Sequence, residues 1–139
     1  MLQNVMQKHA KRVIDTNIIL RFFVEDDQKK ASRTQKLFSK TDEKLLIPDV
    51  VIAEIAWTLL SHYRQSKQNV IKKISSLSTV PNLEFNKTLI SKTLSLWKEQ
   101  NIDFIDAYLA AYVQEENLDG IYSYDKGISK VKDIKRFEP

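Results

Sequence analysis

The sequence predicts an α/β domain in which βαβ units surround a parallel sheet, and three observations carry that reading. Short β-branched runs alternate along the chain with helical patterns of about ten residues or more, the spacing of strand–helix–strand crossovers. At 139 residues one domain is expected, able to bury roughly two-thirds of its unfolded surface. No internal repeat, low-complexity tract or Pro/Gly-rich linker divides it.

The elements follow in order. Residues 1–11 hold no sustained apolar period and read as a poorly ordered leader to a domain over 12–139. Arg12-Val13-Ile14-Asp15 is a β-branched run ending in an acid, with Thr16-Asn17 as the cap of the helix that follows. Residues 18–24 make a buried helical turn or two, stopped by Glu25-Asp26-Asp27. Over 28–40, Ala31, Thr34, Leu37 and Phe38 recur at helical spacing beneath a basic outer face. Lys44-Leu45-Leu46-Ile47 is a strand closed by Pro48, and Asp49 caps a long helix to about Tyr63. Residues 69–80 form an amphipathic helix through Val70, Ile71, Ile74 and Leu77; Pro81-Asn82 turns the chain into a weak strand at 83–85. Asn86 caps a helix over 87–100, with Leu89, Ile90, Thr93, Leu94 and Trp97 on one face. A strongly apolar helix spans 105–116 and ends in the turn 117–120. Strands at 121–124 and 134–137 flank a turn at Asp125-Lys126-Gly127.

Composition removes several chemistries. Without cysteine there is no disulfide framework, thiolate zinc site, iron–sulfur cluster or cysteine nucleophile. Gly120 and Gly127, the only glycines, cannot build a phosphate-cradling loop or a dinucleotide fingerprint. His9 and His62 are too few for a histidine-rich metal site, and no serine sits in a strand–turn–helix elbow. The longest apolar stretch, 50–60, is broken by Glu54 and too short to span a bilayer, and the N-terminus lacks the signal-peptide pattern. A soluble cytoplasmic protein without a membrane role is the expectation. A net charge of +4 permits a polyanionic partner.

Carboxylates remain for chemistry, and five of the 18 acids sit in apolar company. Asp15 closes a strand, Glu54 stands inside Val51-Ile52-Ala53-Glu54-Ile55-Ala56-Trp57, Asp103 and Asp106 flank Phe104-Ile105, and Asp125 follows Ile121-Tyr122-Ser123-Tyr124. An ionised carboxylate there is costly unless paired or bound to a cation. Neither Glu54 nor Asp106 has a lysine or arginine three or four residues away. Asp15 and Asp125 lie just past the carboxyl ends of predicted strands, where open α/β sheets place their ligands. If four carboxylates converge, each like-charged pair at ~4 Å and an effective dielectric of ~20 costs about 4 kcal/mol. A hard divalent cation, Mg2+ or Mn2+, relieves that cost and supports in-line phosphoryl displacement. Blander roles stand beside these: a cap for Asp15, a distant lysine partner for Glu54, an N-cap or supporting role for Asp103, and a turn for Asp125. Asn17 and Ser123 read equally as groups orienting the carboxylates or as a cap and a strand polar residue.

The residues Val13-Ile14-Asp15-Thr16-Asn17, Val51-Ile52-Ala53-Glu54, Asp103-Phe104-Ile105-Asp106-Ala107 and Tyr124-Asp125-Lys126 resemble the PIN domain, and within it the VapC-type ribonuclease toxins of prokaryotic toxin–antitoxin pairs. The resemblance runs from about Arg12 to Pro139. It implies a three-layer α/β/α fold with a central, mostly parallel sheet, Mg2+- or Mn2+-dependent endoribonuclease activity, a homodimer and a cognate antitoxin. Carried over by position, the family's catalytic and metal-binding acids fall on Asp15, Glu54, Asp106 and Asp125, with Asn17, Asp103 and Ser123 in support. Ser123 stands where relatives often have threonine.

Two segments concentrate positive charge. One holds Lys29, Lys30, Arg33, Lys36 and Lys40, and reads first as a solvated face. The other follows Asp125 directly, and its Lys126, Lys130 and Lys132 are candidates for contact with an RNA backbone. A phosphatase or phospho-receiver is the enzymatic rival, but Asn17 stands where a phosphatase wants a second aspartate. The non-enzymatic rival is a catalytically inactive RNA-binding or scaffold module of the same fold.

Overall fold

The computed structural model describes residues 10–24 and 27–139. Most of the expected leader, residues 1–9, and Glu25 and Asp26 of the acidic stop lie outside the described residues.

Strand β1 spans Ala10–Val13. It begins two residues ahead of the expected start at Arg12, because Ala10 and Lys11 pair in register with Glu43 and Lys44. Helix α1 spans Thr16–Phe23. Its cap is Asp15 rather than the expected Thr16-Asn17: Asp15 keeps an extended backbone and its Oδ1 accepts the Thr16 N–H at 2.7 Å, while Thr16 is already helical and buried. Helix α2 (Gln28–Phe38) is capped by Asp27, which accepts the Lys30 N–H at 3.1 Å. Strand β2 (Glu43–Leu46) runs to Pro48, and helix α3 (Asp49–Ser61) starts there. Pro48 occupies the cap position and makes no side-chain cap bond. The expected cap, Asp49, instead bonds across to another helix, where its Oδ2 accepts the Tyr108 hydroxyl at 2.6 Å.

Helix α4 (Lys67–Ser76) starts two residues before the expected Asn69, because Ser66 accepts the Asn69 N–H, and it tightens into a 3₁₀ turn over Leu77–Thr79. Strand β3 (Leu83–Glu84) leads through the Asn86 cap into α5 (Lys87–Glu99), as expected. Helix α6 (Phe104–Glu115) ends in a Schellman turn: Leu118 N–H reaches the Val113 carbonyl, Asn117 N–H reaches Gln114, and Asn117 adopts φ 52°. Strand β4 (Ile121–Tyr122), a 3₁₀ segment over Lys126–Lys130, and strand β5 (Arg136–Phe137) complete the chain. No described helix is long and apolar enough to cross a membrane.

All strand pairs among the described residues are parallel, as the α/β reading requires. They form a three-stranded sheet in the order β1–β2–β3 and a separate ribbon of β4 and β5. Crossovers through α1–α2 and α3–α4 connect the larger sheet, consistent with an α/β PIN-like fold.

The core is divided in the same way. Ile19, Ile52, Ile55, Leu59, Val70, Ile74, Leu77, Leu83 and Ile90 are fully shielded in one cluster. Each such side chain contributes about 1.5–3 kcal/mol relative to exposure. A smaller cluster of Ala110, Val113, Ile128, Val131 and Ile134 holds the C-terminal segment. Helix α6 serves both: Phe104 and Ala107 join the first, Ala110 and Val113 the second. Asp106 therefore rides on a helix that contributes buried residues to both clusters.

Candidate active site

The site is best built from α6 and the turn that follows β4. Asp103 holds the cap position of α6 in extended backbone without a side-chain cap bond, and Asp106 lies in the helix's first turn. Free backbone N–H groups there favour a carboxylate. Beyond β4, Ser123 Oγ accepts the Asp125 N–H at 3.0 Å, and Asp125 Oδ1 accepts the Gly127 N–H at 2.8 Å. These two bonds fix the direction of Asp125. Gly127 keeps the turn open, since a Cβ there would come within 3.0 Å of Asp125 Oδ1.

The turn brings Asp125 into hydrogen-bonding reach of Asp106. Partial burial pushes the Asp106 carboxyl up to about 6, helped by the hydrogen bond to Asp125 and then by the charges of Asp125 and Asp103. Asp125 moves the other way. The Gly127 N–H holds it below its ordinary value, with the Asp106 hydrogen bond and the positive charges of Lys130 and Arg136 adding to the effect. The two carboxyls are pushed in opposite directions, so the pair ionises in two steps.

Of the other two expected acids, Asp15 lies past β1 with its Oδ1 on the Thr16 N–H, and Glu54 is exposed on α3 without a hydrogen bond or ion pair among the described residues. No group of three or more acidic or histidine side chains among the described residues is gathered to hold a metal. Asn17 is exposed in the first turn of α1. Lys126 and Lys130 bound the 3₁₀ segment after Asp125; they and Lys132 are exposed.

The donor chemistry fits a hard divalent cation. Asp106 and Asp125 offer only oxygen ligands, and Asp106 has no cationic partner among the described residues to relieve its repulsion from Asp125 and Asp103.

Two features of the site escaped the sequence reading. Arg136, in the basic stretch after Asp125, is a clamp. Its Nη1 donates to the Ser123 carbonyl at 2.8 Å and to Glu138 Oε1 at 2.7 Å, and its Nε donates to Ser129 Oγ at 3.1 Å. Tyr108, two residues past Asp106 on α6, is pushed up to about 12 by burial and by its bond to Asp49. Both sets of bonds join residues distant in sequence, or on opposite sides of a loop, and no local pattern signals them.

A helix-borne aspartate facing a strand-end aspartate in a parallel α/β chain defines a class of acidic-site domains, and the sequence pattern of the PIN domain family matches residues 12–134. The chain belongs to the PIN domain family. Among curated proteins it is similar to a VapC ribonuclease of Aquifex aeolicus (strain VF5), with 20% identity over 125 residues, covering 86% of this chain and 91% of the relative. Similar solved structures include VapC20 of Mycobacterium tuberculosis, a toxin that cleaves the sarcin–ricin loop (14% identity, TM-score 0.41, 94% of this chain and 100% of that one). Another is VapBC2 of Rickettsia felis bound to a promoter DNA fragment (15% identity, TM-score 0.38, 92% and 98%).

Proposed function

We propose that the chain is a divalent-metal-dependent endoribonuclease, the toxin of a toxin–antitoxin pair, acting on RNA phosphodiester bonds in the cytoplasm. The observation that carries the reading is the Asp106–Asp125 pair in a chain of PIN family. The similarity to a VapC ribonuclease along nearly the whole chain supports the choice of RNA and of an antitoxin partner.

In this reading Asp106, Asp125, Asp15 and Glu54 hold Mg2+ or Mn2+. When bound, such an ion supplies Lewis-acid polarisation of the phosphoryl oxygens and activation of a water molecule. The chain's own residues set the stage. Asp106 would hold the ion as a carboxylate, and Ser123 with Gly127 keeps Asp125 aimed. Arg136 fixes the loop that carries both. Asn17 and Asp103 stand in support, and Lys126, Lys130 and Lys132 meet the RNA backbone, positioning it without reading its sequence.

The proposal includes a homodimer. Helix α3 packs against α6, and between them they expose Val50 (72%), Trp57 (69%) and Ile105 (52%), with Leu109 and Tyr112 beside them. A surface of this kind favours burial against a second copy. Sedimentation velocity should show a dimer that Trp57→Lys shifts to monomer.

The deciding experiment is RNA cleavage in Mn2+ by Asp15→Asn and Asp106→Asn, each checked for folding. A loss of about 10²-fold or more in both is expected. Wild-type rates in either would sink the assignment, and intact RNA binding by a wild type that never cleaves would move the chain to the inactive binding module.

A further inference from the structure

Outside the acidic site, a cavity of about 370 Å3 lies between α1 and α2, walled by Asn17, Ile18, Arg21, Lys30, Arg33 and Thr34. Its size falls within the range of small-ligand clefts, ~300–1,000 Å3. Every charged side chain among the described residues of that wall is cationic. The geometry follows from helical spacing. Asn17 and Arg21 are four apart on α1, and Lys30, Arg33 and Thr34 fall at i, i+3 and i+4 on α2, so each helix presents one face to the cavity.

The basic run over residues 29–40 is not uniform. Lys40 is engaged by Glu43 at 3.8 Å, whereas Lys30 and Arg33, both exposed, form no ion pair with any described residue. Thr34 is buried and anchored through its hydroxyl to the Lys30 carbonyl at 3.0 Å, which ties this side of the wall to the helix backbone. Like charges around a cleft repel one another, and an anion within it removes that repulsion. Ile18 and Asn17 add an apolar surface and an amide, which suit a sugar and its hydroxyls better than a bare ion. Asn17 also lies in the first turn of the helix that Asp15 caps, so the cavity adjoins one of the four candidate acids.

We propose that this cavity binds a backbone phosphate of the RNA strand flanking the bond to be cut, a subsite that rests on the nuclease reading above. Its role is to position the strand, with an affinity that falls with salt and does not depend on base identity.

The test is fluorescence anisotropy of a fluorescein-labelled oligouridylate with the intact protein in EDTA, across a salt series. The variants are Lys30→Gln/Arg33→Gln and, as control, Lys72→Gln/Lys98→Gln, which removes the same charge from the cavity between α4 and α5. Both pairs are on the surface, and unchanged thermal melts confirm folding. The subsite predicts about tenfold weaker binding for the first pair, a salt slope shallower by about 0.7 for each phosphate left without its cation, and wild-type behaviour for the control. Equal weakening in both pairs would reduce the effect to net charge and overturn the subsite. Wild-type RNA binding by the first pair, with loss of binding to a labelled polyglutamate peptide, would overturn it in favour of an acidic protein segment. RNA binding that neither pair alters overturns the subsite alone; a wild type that binds no RNA overturns the nuclease reading with it.

Discussion

At the scale of single residues, Asp106 makes the sharpest claim. Its carboxyl titrates near 6 in the folded protein and near the ordinary 3.8 once unfolded, so between those values the folded state holds more protons. The contribution of Asp106 to the stability of the metal-free protein therefore falls as pH rises from about 4 to about 6 and stays at the lower level above it. Asp106→Asn removes the titrating group but keeps a donor for Asp125. In EDTA, its melting temperature should exceed that of wild type at pH 8 and converge with it near pH 4, and parallel curves would refute the upward shift at Asp106. Asp106 and Asp125 were legible as candidates because a carboxylate within Phe104-Ile105-Asp106-Ala107, or at a strand end, has no local partner to explain it. Asp49 shows the opposite case. Next to Pro48 it reads as a helix cap, yet its partner is Tyr108, 59 residues on, and local spacing reports nothing at that range. Tyr108→Phe should cost about 1–2 kcal/mol, read from the urea midpoint at neutral pH, where the phenol is protonated and donates to the carboxylate.

Among the elements, the passage from α6 to β5 decides whether Asp125 is presented at all. The sequence places a turn over 117–120, and the Schellman bonds from Leu118 and Asn117 explain why the helix stops there. What periodicity does not reveal is why Gly120 stands at the end of that turn. It adopts φ 154°, and a Cβ there would run into the Lys135 carbonyl oxygen and the Phe137 ring, the partners that allow Ile121 N–H to bond the Lys135 carbonyl at 2.9 Å. Gly120→Ala should therefore part β4 from β5. The expected cost is about 1–3 kcal/mol, with a larger loss of nuclease activity than of helix content by circular dichroism. Arg136 acts on the same unit from the other side. Arg136→Gln removes the charged donor to Ser123 and Glu138 and should give a similar stability loss; retention of the wild-type urea midpoint would refute the clamp. The caps divide along the same line. Asn86 was legible because an amphipathic run follows it directly, whereas Ser66 was missed because Lys67 and Gln68 give no apolar signal before Val70.

For the molecule as a whole, the alternation of strands and helices was legible, but the division of the strands into two units was not. Strands two residues long carry too little pattern to announce their partners. That division has a dynamic consequence. The larger cluster locks β2 and the residue after it: the Leu45 and Ile47 N–H groups bond the Asn82 and Glu84 carbonyls at 2.8 Å. The ribbon of β4 and β5 rests on the smaller cluster around Ile128 and Val131. Fewer buried apolar groups mean a lower opening free energy, so the amides of Ile121 and Ser123 should exchange before those of Leu45 and Ile47 in native-state hydrogen exchange. Opening the ribbon also withdraws Asp125 from Asp106, which couples this motion to the proposed metal site. If Asp125 is a ligand, Mn2+ binds the closed form preferentially, and at 100-fold over its dissociation constant it should raise the ribbon's opening free energy by about 2.7 kcal/mol. Slowing confined to Ile121 and Ser123 would tie cation binding to the Asp106–Asp125 pair. Uniform slowing would mean that the ribbon opens only with the whole fold, and no slowing with Mn2+ bound would take Asp125 out of the ligand set.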